Sequence, residues 1–216
     1  SYGLAEACVA VSFPGPQPAA PSWRLSQSAL SERRVVEQPP ERQDDVVEVA
    51  ESGWPVEGVS LRIVDDEDCP VADRVVGHIQ FQGPNASPGY YEDEASTAAA
   101  RCGAWWRTGD LGFVDNGHLA VCGRVKELLF FGGKNVFAQD IEAAAMGEPG
   151  VHTAVACTAP SKDGTHEFTL LFVVARAGRW QDDPMVLDRV RRRVLRELHA
   201  PMDAVIPVAR EEIPRT

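Results

Sequence analysis

Lysine is nearly missing from this 216-residue sequence: Lys126, Lys134 and Lys162 stand against eighteen arginines. Acids outnumber bases, leaving a formal net charge of -11. A nucleic-acid partner demands a basic face that displaces counterions, so none is expected. The five cysteines, Cys8, Cys69, Cys102, Cys122 and Cys157, are scattered, odd in number and without a C-x-x-C pair. That pattern fits reduced thiols better than a disulfide framework or zinc knuckle, hence a cytoplasmic setting. His78, His118, His152, His166 and His199 show no metal-ligand spacing, and the sequence has no G-x-S-x-G elbow or Walker loop. Hydrolase and metalloenzyme readings start weak. No apolar run approaches the ~20 residues of a membrane span, and residues 1–14 have neither the basic flank nor the apolar core of a signal peptide. Internal repeats are absent too.

What is there is enough for a core: 44% of residues are apolar and 25% charged, which allows one domain or two small ones. From Pro14 to Val49, proline, serine, glutamine and charges dominate, and only Ser28 to Val36 briefly holds a period. A long surface segment or insertion is expected there. Val59–Val64 and Val75–Gln82 alternate as strands around a turn cluster at Asp65–Pro70, as in an antiparallel meander. A short helix is expected at Glu92–Ala100, a strand after Trp105 and Trp106, a turn at Asp115–Gly117 and a strand at Leu119–Cys122. Beyond Arg124 the predicted order is strand 128–131, helix 138–146, strands 153–157 and 168–174, helix 184–199 and strand 204–208. This is α+β packing. The last helix opens on Asp183 and Pro184, an N-cap acid with proline in the first turn. Its apolar face is Leu187, Val190, Val194 and Leu198, opposite Arg189, Arg192, Arg193 and Arg196.

The chemistry-bearing stretches come in a fixed order: "YGLAEA", "GHIQFQGPNASPGYY", "WWRTGDLGFVDNGHLAVCGRVKELLFFGGKNVFAQDIE" and the final "EEIPRT". Together they resemble the second half of the adenylate-forming enzymes, the acyl and aryl acid–AMP ligases. The resemblance implies a small, distorted barrel-like β-rich subdomain followed by a small α+β domain whose short sheet is flanked by helices. Its expected bounds are residues 1–123 for part of the large adenylating domain, 124–127 for a hinge and 128–216 for the mobile C-terminal domain.

Roles follow position by position. Tyr2 offers a flat face with a polar tip against adenine, and Gly3 is placed beside it at the nucleotide. Glu6 resembles the acid that helps hold magnesium near the ATP phosphates, hard oxygen being what that ion requires. Asp110, in "RTGD", resembles the carboxylate that accepts from both ribose hydroxyls. Arg124, in "GRVKE", resembles the arginine that also contacts the nucleotide. Lys126 falls at the family's hinge. Gly132 and Gly133 make a turn beside Lys134 and Asn135.

Two details favour the fatty acyl-AMP ligase branch, whose members pass the acyl group to a carrier protein's phosphopantetheine thiol: Ala5 in place of threonine or serine, and the "QDIE" run. The arginines of the last helix would suit an acidic carrier protein. The expected function is activation of a carboxylic, fatty acid with ATP and magnesium. The alternatives are a CoA ligase, or a non-catalytic remnant binding nucleotide or carrier protein. A phosphate-binding loop ending in lysine, and a lysine after Lys162, are part of the family pattern but not of this sequence. The chain is therefore read as a fragment of a longer ligase, inactive alone.

Overall fold

The computed structural model describes residues 1–16, 21–41, 45–131, 134–161, 163, 165–176 and 185–213. The chain divides into two compact units, Ser1–Lys126 and Glu127–Thr216. The fold is α+β and rich in strand.

In the first unit the strands are β1 (Ser12–Phe13), β2 (Ser22–Ser26), β3 (Val46–Pro55), β4 (Ser60–Val64), β5 (Gly77–Gln82), β6 (Arg101–Cys102), β7 (Trp105–Asp115) and β8 (His118–Arg124), with short helices α1 (Gln27–Ser31) and α2 (Glu94–Ala99). They form one sheet in the order β1-β3-β8-β7-β5-β4, with β2 added on β3 and β6 on β7. Every pairing in it is antiparallel. Bulges between Glu51 and Gly53, His78 and Gln80, and Leu111 and Gly112 bend the strands, which curl the sheet into half a barrel. β7 and β8 meet at Asn116 and Gly117, both at positive φ (50° and 86°), the two-residue turn that matches strand twist. One core cluster gathers Ala7, Val11, Phe81 and Trp106, all fully buried, and another Ile63, Ile79 and Leu119.

The stretch 14–49, expected as a long surface segment or insertion without strand period, holds regular strand in part. β2 pairs with β3 from Ser22↔Ala50 to Ser26↔Val46, Leu25 is fully buried, and Ser26 caps α1 by accepting from the Ala29 amide at 3.1 Å. Two pieces of this stretch, Ser22–Ser26 and residues 46–49, are therefore sheet. Its two strands are separated in sequence, so no local window shows that each satisfies the other's backbone. The expected helix at 92–100 is real but shorter, because Asp93 is its cap: its carboxylate accepts from the Ser96 amide at 2.9 Å.

The second unit holds a hairpin of β9 (Leu128–Phe131) and β10 (Lys134–Phe137), then α3 (Ala138–Met146), β11 (Val151–Pro160), β12 (Glu167–Ala175), α4 (Val186–Leu198) and β13 (Ala204–Val208). β11 and β12 are antiparallel, and β13 lies parallel to β12. The core packs Ile141 and Ala145 of α3 and Val190 and Val194 of α4 with Leu171 and Val173, and the predicted face residues Leu187 and Leu198 join it. His199, at φ 54°, ends α4 in the left-handed conformation. Asp183, Pro184, Gly132, Gly133 and the side chain of Lys134 lie outside the described residues.

Candidate nucleotide site

The N-terminal motif is a closed turn. The Tyr2 amide donates to the Ser12 carbonyl (3.1 Å) and the Ser12 amide to the Tyr2 carbonyl (3.0 Å), tying its two ends. Between them runs a 3-10 turn at Ala5–Ala7, then Cys8 and Val9 at positive φ. A side chain on Gly3 would sit 1.4 Å from the Val9 carbonyl oxygen, so the turn closes only around glycine. Ala7 and Val11 anchor it, both fully buried.

Closing the turn delivers Tyr2 to Asp110. The Tyr2 hydroxyl donates to Asp110 Oδ2 at 2.6 Å across 108 residues of sequence. Asp110 stands directly opposite Arg124 in the β7–β8 register, and Arg124 Nε is 3.3 Å from its Oδ1. Arg124 is mostly exposed while Asp110 is buried, so the pair reaches from the sheet toward solvent. Behind them Thr108 Oγ1 donates to the Ile79 carbonyl and accepts from the Asp110 amide, at 2.9 and 3.1 Å, fixing the backbone that carries the acid. Burial, then the bond to Asp110, holds the Tyr2 phenol far above its ordinary range, so it remains a donor.

A carboxylate has about four lone-pair directions. The Tyr2 hydroxyl takes one on Oδ2 and Arg124 lies beside Oδ1 as an ion pair, so the carboxylate keeps acceptor capacity beyond Tyr2. This is the acceptor pattern a vicinal diol fits.

Glu6 lies in the same closed turn, partly exposed, with Oε1 accepting from the Tyr90 hydroxyl at 2.7 Å. Among the described residues no three His, Cys, Asp or Glu side chains gather as a metal cage. Magnesium does not ask for one: it is commonly held by one or two carboxylates together with substrate phosphates and water, and Glu6 fits that mode. Lys126 is exposed in the 3-10 turn Val125–Glu127 and is the last residue of the first unit.

Thus the structure brings Tyr2, Gly3, Glu6, Asp110 and Arg124 into one unit, with Tyr2, Asp110 and Arg124 in direct contact. Thr108 and Tyr90 were not singled out by sequence reasoning, although both lie within quoted motifs. Tyr90's partner lies 84 residues away, which no local pattern shows, whereas Thr108 bonds the amide two residues on, a local signal in "RTGD". The α4 arginines are engaged: Arg189 with Glu148, Arg192 with Asp188, and Arg193 and Arg196 with Glu197.

Residues 1–91 match the family model described as AMP-binding enzyme. The chain belongs to the adenylate-forming superfamily. Among these enzymes it is 32% identical over 211 residues to 4-hydroxyphenylalkanoate adenylyltransferase of Mycobacterium marinum, covering 90% of this chain and 33% of that one. It is 35% identical over 158 residues to indoleacetate–CoA ligase of Aromatoleum aromaticum, covering 73% of this chain and 30% of that one. A solved structure from work on fatty acyl-adenylate ligases of E. coli and L. pneumophila superposes on 100% of this chain with a TM-score of 0.85 at 29% identity. The chain spans 38% of that structure's length, and about a third or less of the two adenylate-forming relatives.

Proposed function

We propose that the protein carrying this chain is an ATP-dependent acid–AMP ligase, with fatty acids as substrates and a carrier-protein phosphopantetheine thiol as acceptor. The observation that carries the reading is Asp110, a buried carboxylate held between the Tyr2 hydroxyl and the Arg124 guanidinium. Asp110 would take the two ribose hydroxyls, Tyr2 and Gly3 would lie at the adenine, and Arg124 would contact the nucleotide from the exposed side. Glu6 would hold magnesium, which when bound neutralises charge on the ATP phosphates.

In the first step a substrate carboxylate oxygen bonds to the α-phosphorus as the bond to pyrophosphate breaks, giving acyl-AMP. In the second a thiol loses its proton, its sulfur bonds to the acyl carbon, and AMP leaves. Positioning and charge stabilisation supply most of such catalysis. Lys126, at the border of the two units, is proposed as the hinge between the two steps.

The carrier-protein assignment draws on Ala5, the "QDIE" run and the likeness to the fatty acyl-adenylate ligase structure. It draws nothing from α4, whose arginines already face acids. The indoleacetate–CoA ligase relative favours a second reading, in which CoA is the acceptor. The test is the full-length gene product with labelled ATP, magnesium and a panel of fatty and aryl acids, with CoA or a phosphopantetheinylated carrier supplied separately. Acyl-AMP consumed only by the carrier is the expected outcome. Consumption by CoA selects the second reading, and no adenylate from any acid overturns both.

A further inference from the structure

The loop that follows β5, residues 83–91, is fastened to the Glu6 turn along its length. Asn85 Nδ2 donates to the Ala7 and Ala10 carbonyls at 2.9 and 2.7 Å, and the Ser87 amide donates to the Glu6 carbonyl at 2.7 Å. The Tyr90 hydroxyl then reaches the Glu6 carboxylate, 84 residues away in sequence. One loop therefore holds both the backbone and the side chain of a single acid.

The loop is braced from behind by the sheet. Trp106, fully buried, donates through Nε1 to the Ser87 carbonyl at 3.1 Å, and Arg101 donates to the same oxygen at 2.7 Å while its guanidinium lies 4.5 Å over the Trp106 ring. The Tyr90 ring meets Trp106 edge-on at 5.7 Å, and the Tyr90 amide donates to Thr97 Oγ1 at 2.8 Å. The phenol is thus aimed by contacts that end in the core. A glutamate on an open turn samples several rotamers, and freezing them costs free energy when a ligand arrives. Here one oxygen is already held, which sets the direction of the other.

We infer that Tyr90 is a positioning residue for Glu6: its hydroxyl fixes the carboxylate through Oε1 and presents Oε2 as a preset oxygen ligand for the divalent cation that accompanies the nucleotide. The inference rests on the role proposed above for Glu6. Outer partners that orient metal ligands are commonly worth about 10-fold to 100-fold in metal affinity.

The experiment is a magnesium titration of ATP–pyrophosphate exchange by the full-length gene product, paired with Mn2+ binding measured by electron paramagnetic resonance in the presence of ATP. Tyr90→Phe keeps the ring on Trp106 at a site 41% exposed, so folding is not at stake, and a thermal melt confirms it. The expected result is a metal requirement raised about 10-fold in both assays, with exchange restored at high metal. In a Glu6→Gln background the same substitution should add nothing. A raised requirement in Glu6→Gln with none in Tyr90→Phe overturns the positioning role alone. An unmoved requirement in both overturns the assignment of Glu6, and the positioning role with it.

Discussion

Asp110 is where the site can be tested most directly, because its acceptor capacity is what the reading uses. Asp110→Asn keeps the shape but turns one acceptor oxygen into a donor, which faces the Tyr2 hydroxyl or Arg124 and the ribose with the wrong polarity. Binding of AMP to the full-length gene product, measured by calorimetry, is expected to weaken by about 10-fold or more, since hydrogen bonds to a charged group contribute about 1.5–3 kcal/mol each. Unchanged affinity would remove Asp110 from the nucleotide. The identity of this acid was legible in "RTGD", but its partners were not. A motif records which residues travel together along the chain, whereas Tyr2 meets Asp110 only because the N-terminal turn closes over β7, and Thr108 matters only because its hydroxyl ties the next turn of backbone to β5.

At the scale of elements, the N-terminal turn is the part most easily broken. Gly3→Ala places a methyl group inside the Val9 carbonyl, so the turn must open and release both Tyr2 and Glu6. Crowding of this kind costs about 1–3 kcal/mol. Gly103→Ala is the control: its φ of 60° strains any other residue, yet nothing lies within 4 Å of the added carbon. Thermal melts should show the larger loss for Gly3→Ala, and only that variant should lose nucleotide affinity. Local pattern was a good guide wherever an element's own residues decide it: the period of α4 and the turn that ends on Asn116 and Gly117 between β7 and β8. It failed for β2 and the start of β3, two pieces of a polar and proline-rich stretch that become sheet because each strand offers the other its hydrogen-bond partners while Leu25 is buried.

At the scale of the molecule, acid should act on the two units through different carboxylates. In the first unit, the Arg107 guanidinium beside Asp68 is the main reason its carboxyl drops from 3.8 to about 2. A depressed carboxylate contributes stability that is present above its unfolded value and is lost as pH falls through its folded one, here between about pH 4 and pH 2. Asp68→Asn should therefore lower the melting temperature of the full-length gene product at pH 7, and the difference from wild type should close as the pH approaches 2. In the second unit Glu142 runs the other way: burial raises its carboxyl above 4.5, so the native state favours its proton and stability declines as pH climbs past that value. A gap that persisted at pH 2 would show that Asp68 acts through packing and not through its charge.

The division into two units with separate cores also has an optical consequence. Trp23, Trp54, Trp105 and Trp106 all fall in the first unit, and of the five tryptophans only Trp180 falls in the second. Within this chain, fluorescence emission is therefore mainly a signal from the sheet that carries Asp110, and Trp54, whose ring centroid lies 3.9 Å from that of His118, adds a contribution open to quenching by the imidazole. Replacing Trp180 with phenylalanine would leave every tryptophan photon from these 216 residues to the first unit, so that the same polypeptide becomes its own domain-specific probe.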